Sequence, residues 1–493
     1  MNIKINTIWN VLEAFIAFSV AVIVTRLLIL NFGMNQYGLF VTLSLLSSYG
    51  IISLFDLGMT GAAVTFAARY KNSGSSNELR MLWFFSLFYF LAVAFFSVIF
   101  VLVFISFDMG GILSKIQSTQ QGLKILYPSL ILTFLSFFSF AFTSFLQAFE
   151  LYKPLQLVNI LGHLTRLAAG IYISTLPAGI YYFLWIAVGI KFLTLIIHLY
   201  ILVSSVHALK SPLKPNFKLI KEWANYSIIL FGSAINGFFM NMLDKFLIVA
   251  KLPFSEVARY DIANKPGGGL RMVLSVLFSA LEPATIRTYA RGGKSAVRSL
   301  YNKSTFSISA ILMPLITVSF INMESILNAW LGRSDSVLVL LAIAAASYLI
   351  VAIHAGVANV MLVAVGAAGK ILPSQILSAF IVFISMIYFI NIYGLFGCVL
   401  ALFLGNLVGS ILILRYFISF FKYRSTDQFG IIIYDTIFIF FISLLISWMF
   451  KKADFSQDLK LNELIFLFLF ELSSIYIIIF FYDRMKKKEF RCF

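Results

Sequence analysis

The chain has 493 residues, 61% of them hydrophobic and only 12% charged, with a formal net charge of +17. A soluble domain carries about 25% charged residues, so no soluble fold can bury this much apolar surface. The class that remains is an all-α polytopic membrane protein, because the apolar runs lack the period-two alternation of spanning strands. The excess of Lys and Arg reads as cytoplasmic loops rather than as a nucleic-acid surface.

In chain order the hydropathy predicts about fourteen spans of roughly twenty residues or more. They lie near 7–30, 37–68, 82–107, 123–149, 155–176, 180–206, 223–251, 259–286, 304–321, 337–365, 372–391, 395–421, 431–450 and 463–482. The first run is too long for a signal-peptide core and contains Glu13 and Arg26, so it reads as a retained span. With the N-terminus inside, the inner segments hold 22 Lys and Arg, and the outer ones only Lys115, Arg333, Lys451, Lys452 and Lys460. That bias puts both ends in the cytoplasm and supports an even number of spans.

The longest polar link, Leu209–Glu222, divides the chain. Residues 1–206 read as an N-lobe of helices 1–6 and 207–222 as a basic cytoplasmic linker. Residues 223–421 read as a C-lobe of helices 7–12, and 422–493 as two accessory helices with a basic tail. An echo links the lobes. Arg26-Leu-Leu-Ile runs on to Tyr37-Gly38, and Lys245-Phe-Leu-Ile runs on to Tyr260-Asp261. Parallel repeats of this kind are a transporter device. Gly366-Ala-Ala-Gly-Lys370 lacks Walker A spacing, so ATP is not expected as the direct energy source. Two cysteines, Cys398 and Cys492, and four dispersed histidines suggest no metal, disulfide or thiol chemistry, and no cofactor is expected.

Charges within the spans carry the functional signal, since each costs about 2.5–3.5 kcal/mol or more at the bilayer centre and normally marks a wet pathway. Arg166 and Lys191 each lie about twelve residues from the turn at Pro177-Ala178-Gly179, so they share a depth roughly 18 Å from it. Two like charges at one depth favour an anion between them, or else each pairs with an acid elsewhere. The hairpin of spans seven and eight holds Lys245, Arg259, Lys265 and Arg271 with Asp244 and Asp261 among them. Asp261 and Lys265 are four apart and can pair on one face. Pro266-Gly267-Gly268-Gly269 reads as a hinge or broken helix, against a close-packing alternative. Arg26 either lines the pathway or snorkels to the interface. Asp56, in Phe55-Asp56-Leu57-Gly58, is a candidate proton or cation site or else a salt-bridge partner, and Asp244 and Asp261 join it as candidate coupling acids. Glu13, Glu282, Asp435 and Glu471 are further intramembrane acids.

The stretch Arg26-Leu-Leu through Gly33-Met-Asn-Gln-Tyr37-Gly38-Leu-Phe, followed by Phe55-Asp56-Leu-Gly58, resembles the first hairpin of bacterial polysaccharide flippases. These are the Wzx-type O-antigen transporters of the multidrug/oligosaccharidyl-lipid/polysaccharide exporter superfamily. Leu243-Asp-Lys-Phe-Leu-Ile, Tyr260-Asp-Ile-Ala-Asn-Lys265 and Leu281-Glu-Pro283-Ala-Thr resemble the second hairpin. The resemblance implies two six-helix bundles around a central cavity of alternating access in the bacterial inner membrane, without enzymatic activity. It implies an undecaprenyl-diphosphate oligosaccharide as substrate, with an O-antigen polymerase and chain-length regulator as candidate partners. Relatives that move the peptidoglycan precursor carry cations on spans one, two and eight. Arg26 and one of Arg259, Lys265 or Arg271 stand at matching places, whereas span two offers Asp56. The expected function is therefore translocation of lipid-linked O-antigen or related repeat units to the outer leaflet, with H+ or Na+ as candidate coupling ion. A multidrug exporter of the same superfamily and a membrane polysaccharide polymerase are the alternatives.

Overall fold

The computed structural model describes residues 3–45, 55–107, 114, 116, 122–174, 179–206, 219–228, 231, 242–332, 335–423, 426–452 and 461–489. Every regular element among them is helical. Within lipid no water can take up exposed N–H and C=O groups, so an apolar chain must satisfy its backbone inside each segment. Among the described residues ten helices are long and apolar enough to cross a membrane, and Leu467–Phe480 is a shorter apolar one. The chain is thus the all-α polytopic membrane protein that composition required.

Two compact units divide the chain, residues 1–261 and 262–493. The first unit contains α1 (Ile3–Leu45), α2 (Met59–Ser73), α3 (Ser76–Ser106), α4 (Gly122–Ala148), α5 (Tyr152–Ser174), α6 (Gly179–Ser205), α7 (Leu243–Lys251) and the start of α8 (Phe254–Ile321). Here α1 packs on α5, α4 on α3 and α6, and α5 on α6. The core is aromatic: Trp83 meets Phe145 edge-on and Phe142 at a tilt, and fully buried Trp223 packs against Phe66, Tyr70 and Phe85. Trp223 also donates Nε1–H to the Tyr70 hydroxyl at 2.9 Å. This anchor ties residues 219–228, which follow the linker, to the first unit. The boundary of compactness falls at Asp261. Most of that linker, 207–218, lies outside the described residues.

The second unit contains the rest of α8, then α9 (Met323–Leu331), α10 (Ser336–Ala346), α11 (Tyr348–Ala364), α12 (Leu372–Tyr393), α13 (Leu395–Phe421), α14 (Thr426–Lys452) and α15 (Leu461–Glu489). Helices α12 and α13 form a tight hairpin around Gly394, whose φ of 56° lies in the left-handed region. Their backbones touch: a Cβ at Gly397 would stand 2.1 Å from the Phe389 carbonyl oxygen, and one at Gly405 2.2 Å from Val382. Without a hydrophobic force between helices in lipid, such close approach supplies the packing energy. Ile439, Ile475 and Ile479 of α14 and α15 are buried in the same core as Leu312, Ile353 and Phe417.

Two predicted loops are absent. The outer turn near 31–36 is a break at one residue of α1, Gly33 (φ 76°, ψ 172°). The predicted basic inner loop at 287–303 is helix, broken only at Gly293 (φ 60°, ψ −150°). Both dihedral pairs lie in a region that side chains with a Cβ avoid. A further correction concerns Pro266-Gly267-Gly268-Gly269. Helical dihedrals run through it, so the helix is not broken there. Gly267 serves close packing, since a Cβ there would approach the Ala346 Cβ to 3.2 Å.

Candidate functional site

The echoed hairpins meet within the first unit. Tyr37 donates its phenolic hydrogen to Asp261 Oδ2 at 2.6 Å, and its oxygen takes the Thr25 hydroxyl at 3.0 Å. Tyr260 donates to Asp244 Oδ2, also at 2.6 Å. Each tyrosine of the echo is thus bonded to the residue preceding the cation of its own repeat: Thr25 before Arg26, Asp244 before Lys245. Tyr37, Tyr260 and Asp244 are buried, and Gly38 carries the contact between hairpins. A Cβ there would fall 1.7 Å from the Phe254 carbonyl oxygen, so only glycine fits.

The cations of this hairpin are partly neutralised. Lys245 Nζ lies 3.9 Å from Asp261 Oδ1, a partner across the hairpin. Arg259 is held by Glu256 at 2.8 Å, an i, i+3 pair legible in the sequence but overlooked. Arg26 is half-buried, one residue beyond Thr25. In the second unit, Lys265 is half-buried, and exposed Arg271 stacks over the Tyr348 ring at 5.4 Å from its centre.

A second polar feature runs along α5. Gln156, Asn159, His163 and Arg166 recur at helical spacing and form one stripe. Gln156 donates to Asn10 Oδ1 at 2.7 Å, Asn159 donates to Gln156 at 3.0 Å, and His163 meets Glu13 at 3.0 Å. Arg166 continues the stripe, and Lys191 stands on the neighbouring helix α6, which packs against α5. The two helices are held together one turn further in, where Gly162 faces Thr194 and Ile190. Lys191 enters none of the ion pairs formed among the described residues.

The helix break expected at 266–269 occurs instead at Asp56-Leu57-Gly58. Leu57 and Gly58 have φ of 48° and 77°. A leucine held there is strained and persists only where its surroundings fix it. Asp56 Oδ1 accepts from Thr60 N at 3.0 Å and Thr60 Oγ1 at 2.7 Å, capping the start of α2. Tyr89 donates to the Phe55 and Asp56 carbonyls, and Ser227 to that of Leu57. The other membrane acids have partners of their own: Glu471 accepts from Asn322 at 3.2 Å and Asp435 from Tyr482 at 2.8 Å. Glu282 is exposed. Among the described residues no cluster of three or more His, Cys, Asp or Glu could hold a metal ion.

The second unit has a cavity of about 550 Å³ between α10–α11 and α12–α13, lined by Ser347, Tyr393, Phe396, Leu400 and Phe403 among others. Its lining carries no charge, so it suits hydrocarbon and not a diphosphate.

This helical plan is shared with transporters that move substrates across membranes. The fold resembles the lipid II flippase MurJ in an inward closed conformation, with 14% identity over 96% of this chain and 98% of that one and a TM-score of 0.71. It also resembles an inward-facing multidrug resistance MATE family transporter of the MOP superfamily, with 14% identity, 83% and 96% coverage and a TM-score of 0.63. A third similar structure is a MOP superfamily transporter from Pyrococcus furiosus, described as having a binding pocket of reverse polarity that suggests a different function. Its identity is 14%, its coverage 85% and 95%, and its TM-score 0.53. At such identities the likeness carries the fold alone. No curated protein sequence matches the chain significantly. The family is nevertheless shown by the sequence model of the polysaccharide biosynthesis proteins, which matches residues 1–289. The chain belongs to that family.

Proposed function

We propose that the protein translocates undecaprenyl-diphosphate-linked O-antigen or related polysaccharide repeat units from the cytoplasmic to the outer leaflet of the bacterial inner membrane by alternating access. The observation that carries this reading is the placing of Arg166 and Lys191 on two helices packed against each other, α5 and α6, with Lys191 outside every ion pair among the described residues. A diphosphate leaving water needs concentrated positive charge, and guanidinium and ammonium groups supply it. Arg26, Lys245 and Arg259 are further candidate contacts in the first unit. Lys265 and Arg271 are candidates on the second. Family membership supports polysaccharide traffic.

Within the proposal, Asp244 and Asp261 are the coupling acids favoured by geometry. Each is buried and bonded to a phenol that can follow a change of charge, whereas Asp56 is engaged as a helix cap. Sodium or a proton would serve. A polymerase or chain-length regulator is a candidate partner. A multidrug exporter is the second reading, favoured by the fold it shares. Its commonly cationic substrates would be repelled by the Arg166–Lys191 pair.

The deciding experiment locates the lipid-linked repeat unit in a deletion strain by sugar accessibility in intact spheroplasts. Cytoplasmic accumulation, cured by the wild-type gene but not by Arg166→Gln/Lys191→Gln, is the expected result. Normal appearance on the outer face would reject translocation.

A further inference from the structure

Four cations outside the set above converge on the end of α13. Lys294, the first residue after the Gly293 break, donates to the Phe420 carbonyl at 2.8 Å and lies 4.2 Å from the centre of the Phe420 ring. Lys370 stands 4.8 Å from the same centre, so the two ammonium groups are at most 9.0 Å apart. One turn beyond Lys294, Arg298 donates to the Lys422 carbonyl at 2.9 Å and stacks on Tyr423 at 6.0 Å. Tyr423 is itself fixed by its hydroxyl bond to Asn302 at 2.9 Å. Lys422 closes the cluster in a left-handed conformation with φ 52°, and it and Lys370 are exposed.

Helix capping explains part of this. The last carbonyls of α13 attract cations, and the helix end is worth about half a negative charge. Four full positive charges exceed that, and none of the four enters an ion pair among the described residues. An excess of Lys and Arg on the cytoplasmic side is general in membrane proteins, but that bias acts on charge alone and does not require two lysines on one ring. Capping and stacking fix Lys294 and Arg298 in place, while Lys370 and Lys422 remain open to a ligand. Phosphate groups favour such convergent N–H donors.

We propose that Lys294, Arg298, Lys370 and Lys422 form a docking site for the phosphate or diphosphate of a membrane lipid at the end of the span where Lys and Arg accumulate. The site is independent of Arg166 and Lys191, and its test does not require translocation. Two lipids share the chemistry, a polyprenyl diphosphate and a bulk anionic phospholipid.

The test measures binding of full-length protein in nanodiscs to undecaprenyl diphosphate, to phosphatidylglycerol and to inorganic pyrophosphate, for the wild type and for Lys294→Gln/Lys370→Gln. The expected result is a loss of about tenfold in affinity for a lipid probe, with the thermal midpoint retained. A loss confined to undecaprenyl diphosphate identifies the diphosphate lipid as ligand, and an equal loss for phosphatidylglycerol identifies bulk phospholipid. Lys370→Gln alone changes an exposed side chain and keeps the test valid if the double variant fails to fold. Unchanged binding of both lipids by a folded variant would overturn the proposal, as would binding of inorganic pyrophosphate alone.

Discussion

Removing the Tyr37 hydroxyl tests whether the echoed hairpins are fastened where the structure joins them. The phenol is 2% exposed and its carboxylate acceptor 9% exposed. Their 2.6 Å bond is short for a hydrogen bond, and Lys245 stands 3.9 Å from the other oxygen of the acceptor. Hydrogen bonds to charged groups contribute about 1.5–3 kcal/mol, whereas polar pairs measured within a membrane protein average about 0.6 kcal/mol and reach about 1.7. The short distance, the charge and the burial favour the upper part of the membrane range, so a coupling of about 1–1.7 kcal/mol is expected. Tyr37→Phe, Asp261→Asn and the double variant form a cycle, read by reversible unfolding of detergent-solubilised protein. Each single variant loses about 1.5–3 kcal/mol. The double variant loses less than the sum, because the second change removes an already broken bond. A coupling below about 0.5 kcal/mol, the scatter of independent sites, would refute the bond as the fastening of the two hairpins.

Three further outcomes follow from the same geometry. Gly38→Ala forces a Cβ to 1.7 Å from a backbone oxygen that no rotamer can move, so folded yield should collapse on size-exclusion chromatography, whereas Gly189→Ala, with open space at its Cβ, should not. Arg166→Gln and Lys191→Gln together should abolish surface glycan while leaving membrane abundance unchanged, and retained glycan would remove the anion path from this hairpin. Trp223→Phe loses the bond to Tyr70 and part of an aromatic core, a cost of about 1–3 kcal/mol that differential scanning fluorimetry should record as a lower midpoint.

Hydropathy and loop charge made the class legible, because hydrocarbon leaves the backbone no other option. The hairpin that carries Arg166 and Lys191 was legible, since a short turn joins two helices that pack on each other. The echo around Tyr37 and Tyr260 was visible as a pattern, yet its bonding was not. Nothing in one repeat says that Tyr37 also reaches an aspartate 224 residues away. The misplaced break has a physical cause. Proline and glycine in Pro266–Gly269 signal weak helix propensity, but packing against Ala346 overrode it. At Leu57 the reverse happened: a residue that favours helices is held out of one by bonds from Tyr89 and Ser227. Asp56 was visible as a charge, but its bonds to Thr60 at the start of α2 were not. The basic stretch 287–303 looked like a loop because charge density was read as exposure, although a helix can carry both.

The single-glycine breaks at Gly33 and Gly293 have a bearing on tolerance to length change. Ordinary surface loops absorb an inserted residue, because their slack separates the elements on either side. A connection of one residue has no slack. Inserting a residue after Gly293 would rotate the following helix by about 100° about its axis relative to the preceding one. Tyr301 would turn away from the Phe417 ring, whose centre lies 4.4 Å from its own, and Lys294 would leave the end of α13. Functional relatives should therefore vary freely in length in their connecting loops and keep a fixed spacing across these two positions.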